Sequence, residues 1–192
     1  MNVLIVYSHP NPASFNHAIL ESIREGLAAG GHAIKVRDLY AEPFKAALDA
    51  ADFGMIMSGT TPLDVKAEQD LVNWAEGLVF IYPVWWFGLP AALKGWIDRV
   101  FLQGFAFAFT DEGPKGLLKH KKALVLNTTG GPEDSYDAAK AKEIYIRPMT
   151  EGTLRFCGIA DVRHKTFFGV PYVPQGVREA MLVEARDLGR AF

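Results

Sequence analysis

The sequence contains very little cysteine: one residue, Cys157, in a chain of 192. A single cysteine excludes an internal disulfide and a cage of thiolates around a metal ion. Cys157 lies in the apolar segment 154–159, so we expect a packed thiol rather than a nucleophile. We expect no metal site in this chain.

Long apolar runs and excess positive charge are missing as well. No apolar stretch approaches the roughly 18 residues that a membrane-spanning helix needs, and the first strand is preceded by no basic leader. The formal net charge of -2 leaves the whole chain without a basic footprint for nucleic acid. We therefore expect a cytoplasmic protein that inserts into no membrane and binds no nucleic acid.

Two glycine patterns that hold nucleotides are also absent. Neither G-x-G-x-x-G nor G-x-x-x-x-G-K-[ST] occurs in the chain, which argues against a Rossmann dinucleotide site and a Walker-type nucleotide site. What the chain does have is an ordinary globular balance, with 49% hydrophobic and 22% charged residues. Its length suits one domain over residues 1–192.

Apolar runs alternate with amphipathic helical patterns along the chain. The runs predict strands at 2–7, 33–39, 78–82, 123–127 and 162–170. Predicted helices begin near Ser14, at 64, at Pro90, at Pro148 and at 177. The segment 40–63 is poorly periodic. The segment 101–111 suits a hairpin that Gly113 and Pro114 turn back. The alternation predicts an α/β fold: a doubly wound, five-stranded parallel sheet in the order 2-1-3-4-5, with helices on both faces.

Three loops should meet at the carboxyl edge of this sheet, where open parallel sheets bind ligands. The first loop ends at Ser14, a good helix N-cap, and a helix N-terminus is a ready phosphate site. His9 in the same loop adds a side-chain donor. The alternative is that Ser14 only caps the helix and His9 only packs.

The second and third loops differ in character from the first. Pro83 ends the third strand, and Trp85, Trp86 and Phe87 follow it as an aromatic wall suited to a flat, conjugated ligand. These rings could instead belong to the core or to a dimer interface. The third loop, 127–132, carries two hydroxyls and two glycines that let backbone N–H groups approach a ligand closely. A phosphate, a flat ring and a polar ring edge at one place favour a flavin.

Together these residues resemble a family, the flavodoxin-like NAD(P)H:quinone oxidoreductases, which include DT-diaphorase and bacterial relatives. The resemblance covers most of the chain and rests on these motifs: His9 with Ser14-Phe15-Asn16, Pro83-x-x-Trp86-Phe87-Gly88-x-Pro90, Leu93-Lys94-x-Trp96, Arg99-Val100-Phe101, Thr128-Thr129-Gly130-Gly131, Tyr136, and Phe156-Cys157-Gly158.

The resemblance implies a flavin site with assigned residues. The flavin phosphate would be held by His9, Ser14, Phe15 and Asn16, and the ring would be lined by Pro83, Val84, Trp85, Trp86 and Phe87. Its pyrimidine edge would meet Thr128, Thr129, Gly130, Gly131 and Tyr136, with Gly130 and Tyr136 as the catalytic residues. NAD(P)H would give a hydride to flavin N5, and a quinone-like acceptor would then take it, in ping-pong order. The family is dimeric with shared active sites, so we expect a homodimer with contacts from Trp85, Phe105, Phe107 and 40–63.

One departure from the family is visible. The family's histidine shortly after Tyr136 is missing, and Lys140 or Lys142 would have to supply positive charge there. The chain ends at Phe192, which favours FMN over FAD. Two alternatives stay open: a flavin- and nucleotide-binding regulatory subunit of a membrane transporter of the potassium efflux type, and a one-electron carrier like flavodoxin.

Overall fold

A five-stranded parallel sheet forms the centre of the molecule. The computed structural model describes residues 1–42, 44–137 and 140–192, with only the backbone of 141 and 142. The strands of this sheet are β1 (Asn2–Tyr7), β2 (Ala33–Asp38), β3 (Gly77–Pro83), β6 (Lys122–Thr128) and β7 (Asp161–Phe167). Their spatial order is β2-β1-β3-β6-β7, which confirms the predicted order 2-1-3-4-5.

Helices cover both faces of the sheet. They are α1 (Phe15–Ala29), α2 (Ala50–Met57), α3 (Leu63–Trp74), α4 (Ala91–Val100), α5 (Glu133–Asp137), α6 (Ala141–Met149) and α7 (Gln175–Arg190). Side chains of α1 and α7 pack into one hydrophobic cluster, and side chains of α3, α4 and α6 pack into the other. No helix in the described ranges combines the length and the apolar character needed to cross a bilayer.

The central strands are apolar because both of their faces are covered. Every residue of β3 is buried, as are residues 3–7 of β1. Fully burying one large apolar side chain contributes roughly 1.5–3 kcal/mol to the stability of the fold. The buried side chains of β1 and β3 therefore hold the carboxyl ends of these two strands firmly in the sheet. Tyr7 pairs with Ile81, and Pro83 pairs with Thr128, which fixes the heights at which the three loops leave the sheet.

The helix ends near the loops follow local chemistry. The Ser14 hydroxyl oxygen accepts from the N–H of His17 at 3.2 Å, which confirms the predicted N-cap of α1. Pro90 is itself the N-cap of α4, one residue before the helix begins, so its prediction as the first helical residue was wrong by one position. Helix α1 also packs closely against α7 at Gly26. An added Cβ at Gly26 would lie 2.0 Å from the carbonyl oxygen of Arg186 in α7, so only glycine allows this close contact between the two helices.

The poorly periodic segment 40–63 contains a helix that the sequence pattern did not indicate. This helix is α2, which begins at Asp49 with a capping box to Asp52. The Asp52 carboxylate also accepts two hydrogen bonds from the buried guanidinium of Arg99 in α4, at 3.0 and 3.1 Å. Position 43 lies outside the described residues.

Three larger differences from the sequence prediction concern the hairpin, Pro148 and the end of the last strand. The hairpin exists as β4 (Phe107–Thr110) and β5 (Gly113–Gly116), but its turn is at 111–112, and Gly113 and Pro114 belong to the second strand. Pro148 lies inside α6 instead of starting a helix, and a π-helical turn continues it over Thr150–Arg155. Strand β7 ends at Phe167, three residues earlier than predicted.

Candidate functional site

The loops after β1, β3 and β6 meet at the carboxyl edge of the sheet, as the sequence predicted. Asn16 Nδ2 donates to Thr128 Oγ1 at 2.9 Å, which ties the first loop to the third. The N–H of Val84 donates to the Thr128 carbonyl at 2.8 Å, which ties the second loop to the third. The rings of His9 and Trp85 lie 5.9 Å apart, centroid to centroid, and connect the first loop to the second. These contacts hold the three loops together at one edge of the sheet, and we infer a ligand-binding crevice between them.

The first loop presents donors to this crevice. His9 Nδ1 lies 3.0 Å from the N–H of Asn11 and 3.2 Å from its carbonyl oxygen. The shorter contact makes Nδ1 an acceptor, so the ring proton belongs on Nε2, where a ligand can accept it. Desolvation lowers the pKa of His9 from its usual value, so the ring is a neutral donor near pH 7.

The start of α1 adds backbone donors beside His9. The N–H groups of Phe15 and Asn16 lie in the first helical turn and have no carbonyl of their own helix to reach. The Phe15 side chain packs against the core cluster of α1, so its contribution to the crevice is its backbone. These N–H groups and the positive end of the helix dipole suit an anion.

Buried polar atoms without partners also indicate that a polar ligand belongs here. Asn16 is 4% exposed and Ser8 is fully buried. Within the described ranges, Asn16 Oδ1 and Ser8 Oγ have no hydrogen-bond partner. A buried polar atom that stays unpaired costs about 1–3 kcal/mol, so both positions fit a site that is completed by a bound group or by water.

The second loop is a tight aromatic turn. Trp85 and Gly88 exchange two backbone hydrogen bonds, at 3.1 and 2.9 Å. The two residues between them, Trp86 and Phe87, have φ angles of 51° and 56°, as in a type I′ turn, which normally takes asparagine and glycine. Trp86 is 96% exposed. A strained turn that displays large rings to solvent is typical of a functional site. Pro83 and Val84 lie in or beside the strand and contribute mainly backbone.

The third loop is shaped by hydrogen bonds that leave one side open. Thr129 Oγ1 donates to the Gly131 carbonyl at 2.9 Å, and the Thr129 N–H donates to the Phe167 carbonyl at 3.0 Å. An ideal Cβ placed on Gly130 would meet nothing within 4 Å, so a ligand can approach the backbone there. The Thr128 hydroxyl oxygen accepts from Asn16, which leaves its hydrogen available for donation.

Tyr136 lies beside this loop and is surrounded by rings. Its centroid is 5.7 Å from Phe87, 5.6 Å from Tyr145 and 5.8 Å from Phe168. The edge of its ring also covers Gly131, whose added Cβ would lie 3.2 Å from Tyr136 Cε2. The structure therefore brings Tyr136 against both the aromatic turn and the third loop.

A fourth segment, after β7, belongs to this region and was missed from the sequence. The N–H of Gly169 donates to the Gly131 carbonyl at 2.8 Å, and Phe168 contacts Tyr136. Because the fifth strand was predicted to continue to 170, these residues were assigned to the sheet. The useful signal was Gly169, whose φ of 62° marks a turn rather than a strand. The side chain of Lys142 lies outside the described residues.

Cys157 takes no part in the site. It is buried in the core cluster of α3 and α4, and burial raises the pKa of its thiol to about 11. The thiol is therefore protonated near neutral pH, which confirms a packed side chain.

Comparison with known proteins agrees with this fold and gives the family. The model of the flavodoxin-like fold family matches residues 1–188. NAD(P)H dehydrogenase (quinone) 1 of Cavia porcellus is 34% identical over 200 residues, which span 93% of this chain and 72% of that protein. An uncharacterized NAD(P)H oxidoreductase of Haemophilus influenzae is 32% identical and covers 95% of this chain and 91% of its own length.

A solved structure is similar in both sequence and shape. The NAD(P)H:quinone oxidoreductase from Methanothermobacter marburgensis superposes with a TM-score of 0.89 at 33% identity, covering 99% of this chain and 96% of that one. The fold is thus flavodoxin-like. The chain belongs to the flavodoxin-like NAD(P)H:quinone oxidoreductase family, and it is an enzyme of the oxidoreductase class. These relatives favour the reductase over the transporter-subunit alternative.

Proposed function

We propose that this protein is a flavin-dependent oxidoreductase that takes electrons from NAD(P)H and delivers them to a quinone or a similar small acceptor. The observation that carries the proposal is that an anion-binding loop, an exposed aromatic turn and an open glycine loop meet at one edge of the sheet. The names of the relatives support the same chemistry. A bound flavin would supply the two-electron transfer, receiving a hydride from nicotinamide and passing it to the acceptor.

In this proposal the chain holds the anionic tail with neutral donors. His9 Nε2–H and the N–H groups at the start of α1 would donate to a phosphate, and Ser14 would add a hydroxyl. Neutral donors and a helix dipole bind a phosphate without bringing extra charge close to the ring.

The remaining site residues orient the ring and stabilise charge. The turn at Trp86 and Phe87 would form a wall along the ring. Donation from the Thr128 hydroxyl and from the backbone around Gly130 would stabilise negative charge at the polar ring edge, with Tyr136 alongside. Donors held in place before the reaction need no reorganisation when that charge develops, so we assign the catalytic roles to Gly130 and Tyr136.

We propose FMN rather than FAD as the flavin. A longer cofactor that extended past His9 would meet a hollow of about 170 Å³, which is bounded by Tyr7, His9, Pro10, Pro12, Asp38, Tyr40 and Ala41. Ligand pockets usually measure about 300–1,000 Å³, so this space favours the shorter cofactor.

We also propose a cytoplasmic homodimer in which the partner completes each active site. Met57 is 73% exposed and Leu63 is 88% exposed, and such side chains suit a covered surface. Phe105 and Phe107 pack against the chain's own core cluster and are poorer candidates for that contact. Light scattering at low micromolar concentration that gave a monomer mass would contradict the dimer.

Purification followed by a visible spectrum tests the central proposal. We expect a yellow protein, or a colourless one that turns yellow with added FMN, and a released cofactor whose mass identifies FMN or FAD. Steady-state rates with NADH or NADPH and a simple benzoquinone should give parallel double-reciprocal lines, as ping-pong order requires. A protein that stays colourless in excess FMN and FAD would overturn the proposal.

A further inference from the structure

A row of polar side chains lies buried beneath Tyr136, in a part of the core that is otherwise apolar. Tyr82, Asn127 and Thr166 pair across β3, β6 and β7, so they stand side by side on one face of the sheet. Tyr82 is 1% exposed, Asn127 is fully buried and Thr166 is 7% exposed. Burying polar groups in a core is unfavourable unless they are hydrogen-bonded, so the partners of this row decide its role.

The hydrogen atoms between Thr166, Asn127, Tyr145 and His164 can be assigned, whereas the Tyr82 hydroxyl has no hydrogen-bond partner within the described ranges. Thr166 Oγ1 donates to Asn127 Oδ1 at 2.7 Å, so its oxygen remains as an acceptor. Tyr145 OH lies 3.3 Å from that oxygen and must therefore be the donor. Asn127 Nδ2 lies 3.0 Å from His164 Nε2, which makes this nitrogen an acceptor on a neutral ring. Desolvation lowers the pKa of His164 to about 4, in agreement with a neutral acceptor.

The row ends on a side chain that touches the site. Tyr145 is 3% exposed, and its ring meets Tyr136 edge-on, at a centroid distance of 5.6 Å and an interplanar angle of 79°. Tyr136 itself lies on α5, a helix of five residues, which is too short to hold a side chain in place by its own stability. Tyr145 therefore supplies a fixed surface from below, while Phe87 and Phe168 touch Tyr136 from other sides.

We propose that Tyr145 is a positioning residue for Tyr136 and that Thr166, Asn127 and His164 hold it in place. The inference rests on the proposed function only in giving Tyr136 its role at the polar edge of a bound ring. His164 does not replace the missing family histidine as a source of charge, because Tyr145 lies between it and Tyr136 and its ring is neutral. The polar row therefore fixes the position of Tyr145 and supplies no charge to the site.

Fluorine NMR of the protein without flavin tests the positioning directly. The chain has six tyrosines, so 3-fluorotyrosine labelling gives few resonances, and Tyr136→Ala identifies the one that belongs to Tyr136. We expect Thr166→Val and Tyr145→Phe to shift or broaden this resonance. Thr150→Val is the matched control, because Thr150 is also buried, at 5% exposed, and its hydroxyl donates to the Ile146 carbonyl of the preceding turn at 3.1 Å, away from the row. A Tyr136 resonance unchanged in both test variants would overturn the proposal.

Turnover gives a second, separable readout. Loss of one neutral hydrogen bond that acts through Tyr136 should lower kcat by about fivefold in Tyr145→Phe, with KM for the nicotinamide donor unchanged. In a Tyr136→Ala background there is no ring to position, so the same change should have no further effect. Equal losses in both backgrounds would overturn the proposal. A wild-type protein that binds no flavin would overturn the proposed function but not the positioning of Tyr136, because the fluorine spectra are recorded without flavin.

Discussion

Replacing Trp86 with asparagine should stabilise the free protein and at the same time weaken its affinity for a flavin. Trp86 has a φ of 51° and is 96% exposed, so its side chain contributes almost no packing while its backbone is strained. A left-handed conformation costs an ordinary L-residue about 1–2 kcal/mol. Asparagine tolerates this conformation far better, and unlike glycine it adds little freedom to the unfolded chain.

The expected gain is about half of that cost, roughly 0.5–1 kcal/mol in the free energy of unfolding. For a domain of this size, 1 kcal/mol shifts Tm by roughly 2–4 °C, so the Asn variant should melt about 1–4 °C higher without flavin. Stacking of an aromatic side chain on a conjugated ring contributes roughly 1–3 kcal/mol, so Kd for FMN should rise by roughly 5- to 150-fold.

Scanning calorimetry of the apoprotein and fluorescence titration with FMN measure the two effects. Trp86→Phe is the control, since it keeps an aromatic ring and the strained backbone. We expect its Tm to match the wild type and its Kd to rise only slightly. A Tm that falls or stays the same in the Asn variant would refute the strain argument, and an unchanged Kd would remove Trp86 from the ring wall.

Three further outcomes follow from packing and electrostatics. Gly26→Ala should lower the free energy of unfolding by more than about 2 kcal/mol in urea melts, because its Cβ would lie 2.0 Å from an α7 carbonyl oxygen. Gly176→Ala is the control: its Cβ would meet nothing within 4 Å, so the free energy of unfolding should rise by about 0.5–1 kcal/mol. The Lys45 ammonium and the Arg99 guanidinium lower the pKa of Asp52 to about 2, so the free energy of unfolding of the wild type should fall as the pH decreases from about 4 toward 2. Asp52→Asn should be less stable than the wild type at pH 7, but its free energy of unfolding should fall less over the same pH range. The thiol of Cys157 should react with a disulfide reagent at pH 8 far more slowly in the native protein than in urea, and comparable rates would contradict its burial.

The strands could be predicted from the sequence because burial on both faces leaves a local signature. Residues 3–7 and 78–82 are continuous apolar runs, and the structure places strands there with small changes at the ends. The positions of the three loops followed from the rule that ligands bind at the carboxyl ends of parallel strands. The contacts between those loops confirm that expectation.

Helix α2 could not be predicted in the same way. It has eight residues, and Phe53 and Met57 on it are 56% and 73% exposed, so the chain shows no amphipathic pattern to detect. Its stability comes from the Asp49–Asp52 capping box and from Arg99, which is 47 residues away from Asp52 in sequence. Such tertiary ion pairs override weak local propensity and leave no periodic signal.

The polar row beneath Tyr136 was hidden for a related reason. Strand patterns show which residues are buried, but the register between strands decides which of them become neighbours. Asn127 is followed by two threonines and Thr166 follows the polar residues 163–165, so neither stands out in the local sequence. Only the pairing of β6 with β7 places them side by side, where Tyr145 from a helix completes their hydrogen bonds.

The strained turn persists because it is attached to the most deeply buried part of the sheet. All seven residues of β3 are buried, and directly after them the N–H of Val84 bonds to the Thr128 carbonyl at 2.8 Å. That anchor, together with the two backbone bonds between Trp85 and Gly88, determines the conformation in which Trp86 and Phe87 must stand. A turn with asparagine and glycine would relieve the strain, but it would display no aromatic surface. The free energy lost in this turn is thus the direct consequence of placing two rings at the edge of the crevice, and the buried strand is what makes that arrangement stable.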